Sequence, residues 1–192
     1  MTRNCLSLLI ALSCLAPMRL TAAVGDCPDL RGKDAATHLE YLRGDRSKLA
    51  APCVVGAIRY LGGKQYTQAI TVLIQYLDYA DPVYLHQPGI RGSIPYVYPA
   101  AEAVASFGRS VVPGLISAIA DANTTDVARQ NAAETIASIY GAARPDAISA
   151  LVSAARAHGD PMASAHLMDQ AKWLADRCAL TMRNDCEVAV FK

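Results

Sequence analysis

Phenylalanine and tryptophan are scarce in this chain: 192 residues hold two of the first and one of the second. They cannot supply most of a core. Ala, Leu, Ile and Val must fill it, and a chain rich in Ala and Leu reads as packed helices rather than sheet. Charge of one sign is lacking too, with 18 basic against 17 acidic residues. Nucleic-acid binding rests on a concentrated basic surface, so no nucleic-acid partner is expected. The longest apolar run, Cys5 to Ala16, is about a dozen residues, short of the roughly 20 that cross a bilayer, so no transmembrane span is expected. No Cys-x-x-Cys pair occurs, and His38, His86, His158 and His166 are scattered without ligand spacing, which predicts neither metal nor cofactor. Ser106 and Ser138 sit in helical patterns, Ser7 lies in the first apolar run, and no nucleophile elbow surrounds any of them. With no convergent nucleophile, base or carboxylate pair, no catalytic residue is assigned and no enzyme is expected.

The chain opens with a basic leader around Arg3, the apolar run, and Thr21-Ala22-Ala23, whose small residues suit a signal peptidase. Residues 1–23 are read as a secretory signal and 24–192 as one domain, periplasmic or secreted. Ala11-Leu12-Ser13-Cys14 is similar to a lipid-attachment box but has Ala where that box has Leu, so lipidation at Cys14 is not the expectation. Cleavage leaves four cysteines, Cys27, Cys53, Cys178 and Cys186, an even set that suits an oxidising compartment. Three pairings are open, and proximity in sequence favours Cys27 with Cys53 and Cys178 with Cys186.

Helical signals follow in order. Asp34 caps a short helix on whose face Ala35, Leu39 and Leu42 fall. A second helix spans Leu49 to Leu61 with Gly62-Gly63 as its stop, and a third spans Thr67 to Tyr79. The run Arg43 to Lys48 reads as a solvated turn. Trp173 with Met162, Met168 and Met182 reads as a last core layer.

In the second half two stretches recur at one spacing. Ala100-Ala-Glu-Ala-Val-Ala-Ser-Phe-Gly returns 32 positions on as Ala132-Ala-Glu-Thr-Ile-Ala-Ser-Ile-Tyr-Gly, and Pro113-Gly-Leu-Ile-Ser-Ala-Ile returns 32 on as Pro145-Asp-Ala-Ile-Ser-Ala-Leu. A period of this length belongs to helical-hairpin repeats. Over Val111 to Gly141 the chain resembles a HEAT repeat: a proline in the first helix, Pro113, an aspartate at its end, Asp121, and a Val-x-Arg entry to the second helix, Val127 and Arg129. The resemblance implies an all-α solenoid of about four hairpins. It also implies structural roles for Pro113, Pro145, Asp121 and Arg129, the last two tying neighbouring repeats, and a scaffold that presents a curved face to a protein or peptide partner.

Measured against that period, about fourteen extra residues precede Ala100. The insertion, roughly 80–99, carries Pro82, Pro88, Pro95 and Pro99 with Gly89 and Gly92, which forbid one continuous helix. Five of the nine tyrosines, Tyr76, Tyr79, Tyr84, Tyr96 and Tyr98, fall within 23 residues here, beside His86 and Arg91. Tyrosine and arginine are the residues of binding hot spots. Tyr79, Tyr84, His86, Arg91, Tyr96 and Tyr98 are therefore the candidate binding residues of an exported, non-enzymatic interaction module. His86, Arg91, Tyr96 and Tyr98 with Glu102 support a rival reading, in which the insertion is the lid or wall of an enzyme or small-ligand pocket. A third reading has the insertion fold down on its own helices as packing.

Overall fold

A computed structural model describes residues 27, 29–85 and 97–179, and every regular element among them is helical. In chain order these are α1 (Ala35–Leu42), α2 (Ala51–Gly63), α3 (Ile70–Gln75), α4 (Pro82–Leu85), α5 (Pro99–Ala105), α6 (Val112–Ala120), α7 (Asp126–Tyr140), α8 (Arg144–Ala157) and α9 (Pro161–Ala179). No single helix among the described residues is long and apolar enough to cross a membrane.

The helix starts follow local chemistry. Asp34 accepts from the Thr37 amide at 2.8 Å, and Thr125 accepts from the Ala128 amide at 3.1 Å, each satisfying a first-turn N–H that the helix leaves orphaned. Pro145 lies in the first turn of α8, where its missing N–H costs nothing. Gly141 ends α7 at φ +58, a conformation that side chains with a Cβ resist. Ahead of α1, the Cys27–Cys53 disulfide joins the lead-in to α2 with Cα atoms 5.1 Å apart. Closing a 26-residue separation is worth about 3.5 kcal/mol in the chain-entropy account. Cys178 is buried and disulfide-bonded, while Cys186, its expected partner, lies outside the described residues.

Three expectations are corrected. The second helix takes in Gly62 and ends at Gly63, two residues past the expected Leu61. Gly62 is instead a crossing point: a Cβ there would lie 2.6 Å from the Ala103 Cβ, so only glycine lets α2 and α5 touch. The expected Thr67–Tyr79 helix is broken into the 3₁₀ turn Thr67–Ala69, α3, and turns closed by bonds such as Tyr79 N to Tyr76 O at 2.9 Å. The β-branched run Ile70-Thr71-Val72 is nonetheless helical, and the break falls at Tyr76, whose hydroxyl donates to the Leu42 carbonyl at 2.8 Å. Met162, placed in the last core layer, is 59% exposed in the first turn of α9, whereas Met168 and Trp173 do pack on the core. Met182 lies outside the described residues.

The helices pack together on one core, and two rows of contacts run through them. In one, α2 lies on α5, α5 on α7 and α7 on α9. Ile58, Leu61, Val104, Ile136, Leu167 and Leu174 fill its interior with no exposed area. In the other row α1 lies on α2, α3 packs on α5 and α6, and α6 meets α9 rather than α8.

Buried polar ties fix the register between elements. The Asn131 amide donates to the Leu77 carbonyl at 2.6 Å. Arg129, 6% exposed, donates to Ile119, Asp121 and Ala122 carbonyls that α6 and its turn leave free, and pairs with Asp126 at 2.8 Å. These bonds close one hairpin on itself. The Asp121 carboxylate turns to the Asn123 amide at 2.9 Å instead. Pro113 is exposed at the start of α6.

Candidate functional site between α3 and α6

An open groove of about 600 Å³ runs between α3 and α6. Its floor is apolar, from Ile70 and Ile74 on α3, Gly114 and Ala118 on α6, and Ala128 at the start of α7. Gly114 sets the width, since a Cβ there would come 3.1 Å from the Ile74 Cδ1. The rim is polar and includes Arg46, Gln75, Asp78, Ser117, Asp121 and Thr125.

Asp78 holds the mouth of the groove together. One carboxylate oxygen meets the Arg46 guanidinium at 2.7 Å, and the other accepts from the Thr125 hydroxyl at 3.2 Å. Arg46 comes from the turn after α1, Asp78 follows α3, and Thr125 caps α7. Below the pair, the guanidinium carbon lies 4.9 Å from the Tyr76 ring centre and 5.2 Å from that of Tyr79, cation–π distances for both. Burial raises both phenols above their ordinary pKa of 10.0, and the nearby guanidinium offsets part of that rise.

Of the candidate binding residues, Tyr79 reaches this groove, through Arg46. Tyr84 is half-buried on α4, and Tyr98, just before α5, packs against the core. His86, Arg91 and Tyr96 lie outside the described residues. The base of the insertion is pinned: Asp81 donates its backbone N–H to the Val97 carbonyl at 2.7 Å. Its carboxylate, 5% exposed, pairs with Arg59 at 3.3 Å and accepts from the Val83 amide at 3.0 Å. Glu102, named for the lid reading, lines a separate hollow of about 330 Å³ between α2 and α5, with Arg59 and Ser106.

Sequence reasoning missed Arg46, Asp78 and Thr125. One signal stood in the numbering, because Arg46 and Asp78 are 32 residues apart, one repeat length. A third polar cluster, Glu134 with Arg144 at 2.7 Å and Arg177 at 3.0 Å, joins α7, α8 and α9, with Arg177 set 4.8 Å from the Trp173 ring centre. Its carboxylate is spent on the two guanidinium groups. Among the described residues no group of three or more His, Cys, Asp or Glu side chains is placed to hold a metal ion. Compared with family models, with curated protein sequences and with solved structures, the chain matches none.

Proposed function

We propose that this protein is an exported, non-enzymatic interaction module, a HEAT-like array of about four helical hairpins that seats an extended segment of a partner protein between α3 and α6. The observation that carries the reading is the groove itself, with an apolar floor around Ile70 and Ile74 and a rim of side-chain donors and acceptors. That combination suits a strand-like peptide, whose side chains enter the floor while its backbone meets the polar rim. Two carboxylates, Asp78 and Asp121, stand on the rim against one guanidinium, Arg46, which favours a segment with a basic residue beside a small apolar one. The Cys27–Cys53 disulfide is compatible with an oxidising compartment.

Photo-crosslinking side chains placed at Ser117 in the groove and at Glu102 on the other row test this. A basic-apolar peptide panel should crosslink at Ser117 and not at Glu102, and Ile74→Arg should weaken capture on the order of tenfold or more, roughly 1.4 kcal/mol per decade. Equal labelling at both positions, or an Ile74→Arg protein with unchanged helicity and unchanged capture, overturns the reading.

A further inference from the structure

We propose that Asn123 is the acceptor of an N-linked oligosaccharide, a reading that rests on the export of the chain. The turn between α6 and α7 reads Asn123-Thr124-Thr125, the Asn-x-Thr pattern of such acceptors. Asn4, Asn131 and Asn184 lack the hydroxyl two residues on, so this is the single such site in the chain. Asn131 is also buried, at 3% exposure, and bonded to the Leu77 carbonyl, whereas Asn123 is exposed on a turn joining two surface helix ends. A bulky hydrophilic group attached there meets solvent rather than core.

The chemistry needs a second substrate, an oligosaccharide carried on a lipid pyrophosphate. The Asn123 Nδ2 attacks the anomeric carbon of the first sugar. A C–N bond forms, the C–O bond to pyrophosphate breaks, the lipid pyrophosphate leaves with the electron pair, and one amide proton passes to a base. Nothing is oxidised or reduced.

Geometry also sets when this happens. The acceptor pattern is read through the hydroxyl of its third residue, and in the folded domain the Thr125 hydroxyl is committed, accepting from the Ala128 amide at 3.1 Å and donating to Asp78 at 3.2 Å. Transfer therefore precedes closure of the α6–α7 turn, on the chain as it emerges from translocation. Once the domain folds, the sugar is anchored on the rim of the α3–α6 groove, which Asn123 lines.

The test produces the full chain, leader included, in a cell whose secretory compartment holds an oligosaccharyltransferase. It reads the N-terminal sequence and the intact mass before and after peptide N-glycosidase. The expected result is a processed chain carrying glycosidase-sensitive mass, with residue 123 converted to aspartate on digestion. Asn123→Gln, which touches neither cap nor core, should abolish the added mass, Thr125→Ser should keep it, and purified folded protein offered to the same enzyme should stay unmodified. A processed chain without glycosidase-sensitive mass overturns the proposal and leaves export standing. A chain that keeps its leader and stays inside the cell overturns both.

Discussion

The two rows of helices are held by different chemistry. Along α2, α5, α7 and α9 small side chains let helix backbones approach closely, as at Gly62 against Ala103, and fully buried aliphatic residues fill the interior, leaving the smaller hollow of about 330 Å³ beside Arg59 and Glu102. Around the α3–α6 groove the chain after α3 is tied by polar groups to the turn after α1 and to α7, Arg46 to Asp78 to Thr125 and Leu77 to Asn131, and the half-buried Ile70 and Ile74 are left beside an open groove. A row that packs through alanine and glycine spends its apolar surface on itself. A row tied at its ends by hydrogen bonds leaves Ile70 and Ile74 half-buried at its surface.

Truncation should break this comparison most visibly. Ile136→Ala, in the closed row, should cost about 2–5 kcal/mol in denaturant unfolding, while Ile74→Ala, on the groove floor, should cost about 1 kcal/mol or less because solvent already reaches it. Similar losses at the two positions would show that the groove is as tightly packed as the row.

Two helical glycines at close approaches should respond with opposite sign. Gly62→Ala forces a Cβ to 2.6 Å from the Ala103 Cβ and 2.7 Å from its Cα, an overpacking worth about 1–3 kcal/mol of lost stability. Gly114→Ala meets only the flexible tip of Ile74 at 3.1 Å and should gain about 0.5–1 kcal/mol from a less free unfolded chain. Thermal melts of the pair decide it.

The polar ties rank next. Asn131→Ala leaves the Leu77 carbonyl buried without its donor and should cost about 1–3 kcal/mol. Asp78→Asn weakens a pair whose arginine is 41% exposed and should cost about 1 kcal/mol or less, while reducing capture of a basic peptide.

The smallest effects are those of pH. Hydrogen bonds from Thr37 hold the Asp34 carboxyl below its ordinary 3.8, and those from Ser47 do the same for Asp45. The stability they lend is present above that value and fades as pH falls through the lowered one. Amide exchange at Thr37 and Ser47 should accelerate there before the closed row loosens. At the alkaline end, Tyr76 and Tyr79 favour the neutral phenol, so their contribution holds below 10.0 and fades as pH rises through the raised value. An ultraviolet titration should show both ionising after the exposed tyrosines.

Features written in short stretches were legible in the sequence. Asp34 and Thr125 cap helices because a side-chain oxygen needs an amide only three residues on, and Gly141 marks an end because φ is a property of one residue. Favouring Cys27 with Cys53 needed only proximity. What stayed hidden depends on approach across the fold. Gly62 reads as a helix stop until Ala103, 41 residues later, is seen against it. The break after Gln75 falls at Tyr76, whose hydroxyl is bonded to Leu42, 34 positions back. The candidate site was hidden for the same reason: Arg46 looks like part of a solvated turn, and Asp78 and Thr125 are 47 residues apart. Tyrosine density drew attention to the insertion, whereas the groove is lined by residues from Arg46 to Ala128, far apart in the sequence.

The carboxylate of Asp78 carries a consequence for how this surface changes under mutation. Since it grips Arg46 with one oxygen and Thr125 with the other, no substitution there alters one contact alone. Changes at positions 46, 78 and 125 should be epistatic, the effect of each depending on the residues standing at the other two. Binding variants would then arise more readily through independent positions along the groove, such as Thr71 or Ser117, than through the charged mouth.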